Sequence, residues 1–144
     1  MPITHSLSSL KALIVDDHFL TRDVLRDILQ DCNVTQIHTA PDGPEAIDRI
    51  QTAYDAGRPY DIVFLDWNIP TISGFDVLTH FRAKPEYANT AFVMFTAESE
   101  QQNIVKAIKA GATSYITKPA STSELSRKLS DILHWLQSQP SRKG

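Results

Sequence analysis

One cysteine in 144 residues excludes an internal disulfide. Cys32 is therefore expected to fill a gap in a core, and a lone thiol fits a reducing, cytoplasmic setting. No apolar run exceeds strand length, whereas a membrane span needs about 20 residues. The opening MPITHSLSSL has neither a basic start nor a long apolar stretch, so no secretory signal is expected. The formal net charge is −3 with no basic stripe, which offers no footing for nucleic acid. Five histidines show no metal-ligand spacing, and none looks like a kinase phosphodonor. Internal repeats, low-complexity tracts and interdomain linkers are also lacking. What remains is ordinary for a globular protein: 42% hydrophobic residues in a length that suits one domain with one core.

Apolar strand patterns alternate with amphipathic helix patterns along the chain. That order predicts parallel strands joined by right-handed crossovers. Strands are expected at 11–15, 34–39, 61–65, 91–95 and 113–117. The second is more polar and so belongs at an edge, whereas the third is apolar on both faces and belongs at the centre. Helices are expected at 19–31, after Asp42-Gly43-Pro44, near 75–83, at 100–109 and after Ser121. The first should bury Leu20, Val24, Leu25, Ile28 and Leu29 on one face. The second should bury Ala46, Ile47, Ile50, Ala53 and Tyr54. Gly111 reads as a left-handed cap after the fourth. Ser121 and Glu124 have capping-box spacing before the fifth. The fold class is α/β: a flavodoxin-like, doubly wound, five-stranded parallel sheet of order 2-1-3-4-5 with five helices. Residues 10–137 would form the domain, and the ends, 1–9 and 138–144, should be flexible.

In that order the ligand crevice lies where the winding reverses, between strands 1 and 3. LKALIVDD and YDIVFLD end those strands in Asp16, Asp17 and Asp66. TAFVMFT and TSYITKP end strands 4 and 5 beside them in Thr96 and Lys118. Carboxylates roughly 5 Å apart at an effective dielectric of about 20 repel by about 3 kcal/mol per pair, so a proton or a cation must offset them. An oxygen-only pocket suits Mg²⁺, or Mn²⁺, together with phosphate. Asp16 and Asp17 read equally well as a helix cap when taken alone. Asp66 can attack phosphorus and form an acyl phosphate. Thr96 offers a hydroxyl to a phosphoryl oxygen, and the small Ala97 leaves space over the pocket. Lys118 supplies a point charge, and a cis Lys118–Pro119 bond is one way to aim it inward. His18, beside the acid pair, reads as a loop residue.

Together VDD, FLDWNIPTISG, FTAE and GATSYITKP resemble the receiver domains of bacterial response regulators, most closely the stand-alone chemotaxis type. The match runs from about Lys11 to Leu136. The resemblance implies that Asp66 is the phosphoacceptor. It implies that Asp16, Asp17, Asp66 and the backbone carbonyl of Asn68 serve Mg²⁺. Thr96, Ala97 and Lys118 would meet the phosphoryl group, and Thr96 and Tyr115 would form the switch. Asn68 and Glu98 match positions that tune phosphoryl lifetime. Ala120 departs from the family, which usually has Phe after Lys-Pro. Ser99 and Glu100 stand where the chemotaxis protein carries lysines, which weakens a motor-binding role.

Such a protein is no turnover enzyme; it promotes only its own phosphorylation and dephosphorylation. Its partners would be a histidine kinase or phosphotransfer protein and a downstream protein target bound at the helix 4, strand 5 and helix 5 face. Nucleic acid and membrane are not expected partners. A haloacid dehalogenase type of phosphatase would need an Asp two residues after the nucleophile, where this chain has Asn68. A flavin module would need a hydroxyl- and glycine-rich phosphate loop where DDHFLT stands. A receiver that never accepts phosphate would be expected to lack some of the polar residues that are all present here.

Overall fold

The computed structural model describes residues 9–139. Residues 1–8 and 140–144, within the expected flexible ends, lie outside the described residues. The strands are β1 (Lys11–Val15), β2 (Gln36–Ala40), β3 (Ile62–Leu65), β4 (Ala91–Thr96) and β5 (Ser114–Thr117). One helix follows each: α1 (Phe19–Asp31), α2 (Gly43–Asp55), α3 (Gly74–Arg82), α4 (Gln101–Lys109) and α5 (Thr122–Gln137). All neighbouring strands pair in parallel, in the order β2-β1-β3-β4-β5. The sheet is thus the doubly wound one that the alternation implies.

Side chains alternate across each strand, so each face of the sheet gathers its own core. Leu13, Val63, Leu65, Phe92 and Met94 meet Ile50 of α2, Leu78 and Phe81 of α3 and Ala107 of α4. On the opposite face, Ile14, Phe64, Val93 and Ile116 meet Leu25 and Leu29 of α1 and Leu129, Ile132 and Leu136 of α5. β3 and β4 are buried along their whole length, while β2, at the edge, is largely half-exposed. Cys32 is a half-buried free thiol packed against the α1/α5 side.

Three apolar assignments are corrected. Leu20 and Val24 do not join the buried face of α1; they are 73% and 52% exposed. At 3.6 residues per turn Val24 lies about 100°, and Leu20 about 140°, round the helix from Leu25. The Leu25, Ile28 and Leu29 stripe already fills the contact with the sheet. Tyr54 likewise stands outside, its ring tilted against Tyr87. β2 begins two residues later than the apolar pattern suggests, because Val34 closes the α1 turn through a bond from its N–H to the Leu29 carbonyl.

Helix starts follow their caps. Asp42, Ser73 and Ser121 accept from the backbone N–H groups of Glu45, Asp76 and Glu124. The Ser121 bond is 3.1 Å. Ser121→Ala is expected to cost about 1 kcal/mol, read from the urea midpoint. Ser138 and Gln139 close α5, both side chains donating to the Trp135 carbonyl. Gly111 has φ 113°, so the left-handed turn before β5 is where the pattern placed it.

Candidate functional site

β1 and β3 are neighbours, so Asp16 and Asp66, each just past its strand, arrive side by side. Their N–H groups extend the sheet bonding, Asp16 to the Ala40 carbonyl and Asp66 to the Val15 carbonyl, both at 3.0 Å. This fixes the two Cα positions before any side chain acts. Asp16 and Asp66 are 2% and 4% exposed, and Thr96 is fully buried. Asp17 and Asn68 open to solvent at the rim, as does Ala97.

Lys118 reaches into this group from the end of β5. Its Nζ stands 2.7 Å from Asp16 Oδ2 and 3.1 Å from Asp66 Oδ2. Burial pulls the Lys118 pKa down, but its hydrogen bond and charge attraction to Asp16, with Asp66 adding to both, carry it above its ordinary value. Its backbone N–H is held by the Thr96 carbonyl at 2.9 Å, and the Lys118–Pro119 bond is cis. Asp66 Oδ1 accepts from the Asn68 N–H at 3.2 Å, so both oxygens of Asp66 are engaged.

The loop after Asp66 is held close. Gly74, at the start of α3, donates to the Trp67 carbonyl, and a Cβ on Gly74 would collide with the Asp66 carbonyl. Trp67 stacks on Phe75 with ring centroids 4.9 Å apart.

The acid pair is not a helix cap. The residue capping α1 is His18, whose side chain makes no capping bond. His18 lies in the β1–α1 loop, as its place beside the acid pair suggests. Its Nδ1 lies 3.1 Å from Asp16 Oδ1 and 3.2 Å from Asp17 Oδ1. One donor atom each from Asp16, Asp17, His18 and Asp66 falls within 4.8 Å of all the others. That donor set fits a small divalent cation. Adjacency to two strand-end carboxylates is what singles His18 out in the sequence. Arg22 has no such signal and was missed. Its Nη1 donates to the Asp16 carbonyl at 2.7 Å and pins the β1–α1 turn.

The other side of the site is joined through Glu98. Its backbone N–H donates to Thr96 Oγ1 at 3.2 Å, and its carbonyl accepts from the Tyr115 hydroxyl at 2.7 Å. The Glu98 carboxylate accepts from the Glu100 N–H and the Asn103 side chain at the start of α4. Burial, with the negative charges of Glu98 and Asp66, pushes the Tyr115 pKa up to about 12 from 10.0. The folded protein therefore keeps a proton that the unfolded chain releases, and stability falls as pH rises through this interval. Tyr115→Phe should cost about 0.5–1.5 kcal/mol at neutral pH through the lost bond. It should also flatten the alkaline decline between 10.0 and about 12, followed by urea unfolding across pH.

Comparison with known proteins accounts for this arrangement. The family model described as response regulator receiver domain matches residues 12–130. The chain belongs to that family. The receiver is 33% identical over 128 residues to the chemotaxis protein CheY-3 of Vibrio cholerae, covering 89% of this chain and 95% of that one. It is 31% identical to the chemotaxis protein CheY of Pseudomonas aeruginosa, over 85% of this chain and 95% of that one. Among solved structures it is similar to CheY in a CheX-CheY-BeF₃-Mg²⁺ complex from Borrelia burgdorferi. The TM-score there is 0.77 at 27% identity, over 85% of this chain and 88% of the other. This is a CheY-like receiver of two-component signalling, a family of switches rather than turnover enzymes. Membership implies phosphodonor kinases and downstream targets as partners, and an acidic pocket that binds Mg²⁺. No described helix is long and apolar enough to cross a membrane.

Proposed function

We propose that residues 10–137 form a phosphorylation switch in which Asp66 accepts a phosphoryl group from a histidine kinase or histidine phosphotransfer protein. The observation that carries the reading is the convergence of Asp16, Asp66 and Lys118 within hydrogen-bond reach at the mouth of adjacent strands. The Borrelia complex with BeF₃ and Mg²⁺ supports the same centre here.

Asp17, Asp66 and the Asn68 carbonyl, with Asp16 beside them, would hold Mg²⁺ or Mn²⁺. Bound there, the ion supplies positive charge against the phosphoryl oxygens. An Asp66 oxygen forms the new bond to phosphorus in line as the phosphorus–nitrogen bond of the donor breaks, and the electron pair leaves with the imidazole. A carboxylate nucleophile needs no general base. Lys118 stays on the phosphoryl oxygens as the charge spreads, and Thr96 turns its hydroxyl toward them. Asn68 and Glu98, at the rim, tune how long the acyl phosphate survives.

Glu98 gives the route outward. Turning Thr96 breaks the bond that its hydroxyl accepts from the Glu98 N–H, and the same peptide segment holds Tyr115. The two residues thus bias one element, which is how a local charge change can shift a distant face. The responding surface is α4, β5 and α5, where Val105 and Ile108 already stand exposed. Output is protein binding there, in a cytoplasmic setting that suits the free thiol of Cys32.

Acetyl phosphate with Mg²⁺ tests the reading on the full chain. The expected product is one hydroxylamine-labile phosphoryl adduct by intact mass, absent when Mg²⁺ is chelated. A chain that takes up none would be a receiver that signals without phosphate. Comparing beryllofluoride-loaded and empty protein in a pull-down then identifies the target.

A further inference from the structure

We propose that His18 is a nitrogen ligand of the acidic centre, raising this receiver's preference for Ni²⁺-class ions over Mg²⁺ above what its oxygen donors alone would give. The inference rests on the metal-assisted reading of the site and extends it to a residue outside that reading.

The distances carry the argument. Ligands 2.0–2.1 Å from an octahedral ion stand about 3.0 Å apart at neighbouring vertices. His18 Nδ1 is 3.1 Å from Asp16 Oδ1 and 3.2 Å from Asp17 Oδ1, so one ion can take the imidazole and its neighbouring carboxylates at adjacent positions. The third carboxylate, Asp66, is within 4.8 Å of the same donors. The backbone is prepared for this. The His18 N–H donates to Asp16 Oδ1 at 2.8 Å, and Arg22 holds the Asp16 carbonyl, so the turn presents the ring toward the acids. His18 is 67% exposed on its side chain, which leaves an approach from solvent.

Imidazole adds little for Mg²⁺, a hard ion that prefers oxygen and keeps its waters. It adds much for Ni²⁺, Co²⁺ or Zn²⁺, ions that imidazole nitrogen suits far better than it suits Mg²⁺. A Ni²⁺-class ion seated here occupies the carboxylates that Mg²⁺ needs. His18 therefore sharpens the sensitivity of phosphoryl acceptance to the ratio of these ions.

Calorimetric titration of the full chain with Mg²⁺ and with Ni²⁺ tests this, in the native protein, His18→Phe and Asp66→Asn. The Ni²⁺ site that counts is the one that Mg²⁺ displaces and Asp66→Asn weakens. Losing even an outer partner of a ligand costs 10–100-fold in metal affinity, so His18→Phe should lower Ni²⁺ affinity by at least about tenfold. Mg²⁺ affinity should change by less than about threefold, since the oxygen donors remain. The visible absorption of bound Co²⁺ should also shift between the two proteins, as a nitrogen ligand is exchanged for water. Unchanged Ni²⁺ affinity and an unchanged Co²⁺ spectrum would overturn the assignment. Equal losses for both ions would also overturn it, making His18 a residue that positions the carboxylates. A native chain that bound neither ion, and took no phosphate from acetyl phosphate with Mg²⁺, would overturn the metal-assisted reading itself.

Discussion

Asp66→Asn is expected to abolish phosphoryl uptake from acetyl phosphate while leaving the fold intact. The substitution keeps the shape of the side chain but replaces a charged oxygen nucleophile with a neutral amide, which forms no acyl phosphate. Its effect on stability is the balance of two changes. Asp66 accepts from two donors, the Asn68 N–H on Oδ1 and Lys118 Nζ on Oδ2. An amide offers one oxygen, so one of those donors loses its acceptor. Against that, a buried negative charge beside Asp16 and Asp17 is removed and their mutual repulsion relaxes. The two changes oppose each other, and the free energy of unfolding in urea should change by no more than about 1 kcal/mol. Intact mass after incubation with acetyl phosphate and Mg²⁺ should show no adduct in the variant and one in the native chain. Uptake at the native rate would place the phosphoacceptor on another residue.

Such a test can be designed from the sequence alone because strand ends are legible. An apolar run buried on both faces can be recognised by composition, and parallel strands share one carboxyl edge. Asp16, Asp66, Thr96 and Lys118 therefore fall on one rim from the sequence pattern alone. The same logic failed on α1. Leu20 and Val24 are apolar at helical spacing, but the pattern does not say which of two apolar stripes meets the sheet, and the structure leaves these two in solvent.

Arg82 shows a different limit. Its guanidinium donates to the carbonyls of Gly111, Tyr87 and Thr90 and to the Thr113 hydroxyl, with Phe92 against its plane. It ties the end of α3 to the turns before β4 and β5. Most of those acceptors are backbone atoms, which every residue has, so no pattern of residue types announces them. The setting of His18 is hidden from the sequence for a related reason. Which Asp16 oxygen meets its imidazole is settled by Lys118, a hundred residues away, drawing Oδ2 and leaving Oδ1.

Removing that lysine should have the largest effect on stability. Lys118→Ala leaves Asp16 and Asp66 buried at the same rim without the cation now standing 2.7 and 3.1 Å from them. Breaking a buried ion pair from one side costs about 3–5 kcal/mol, and with Lys118 only 18% exposed on its side chain solvent screens the loss little. The loss is expected near 3 kcal/mol in chelator at neutral pH, the lower end of that range. Saturating Mg²⁺ should recover more stability in the variant than in the native chain, because the ion replaces a missing positive charge. The pH course gives the sharper check. The folded pKa of Lys118 lies above its ordinary 10.5, so the contribution is fully present below 10.5 and is lost as pH climbs through the folded value. The stability difference between native and Lys118→Ala proteins should therefore stay level up to about 10.5 and shrink beyond it. Tyr115 also titrates in that range, but it does so in both proteins, and its part largely cancels in the difference. A difference that widened with rising pH would mean that Lys118 is not held in charged form by Asp16 and Asp66.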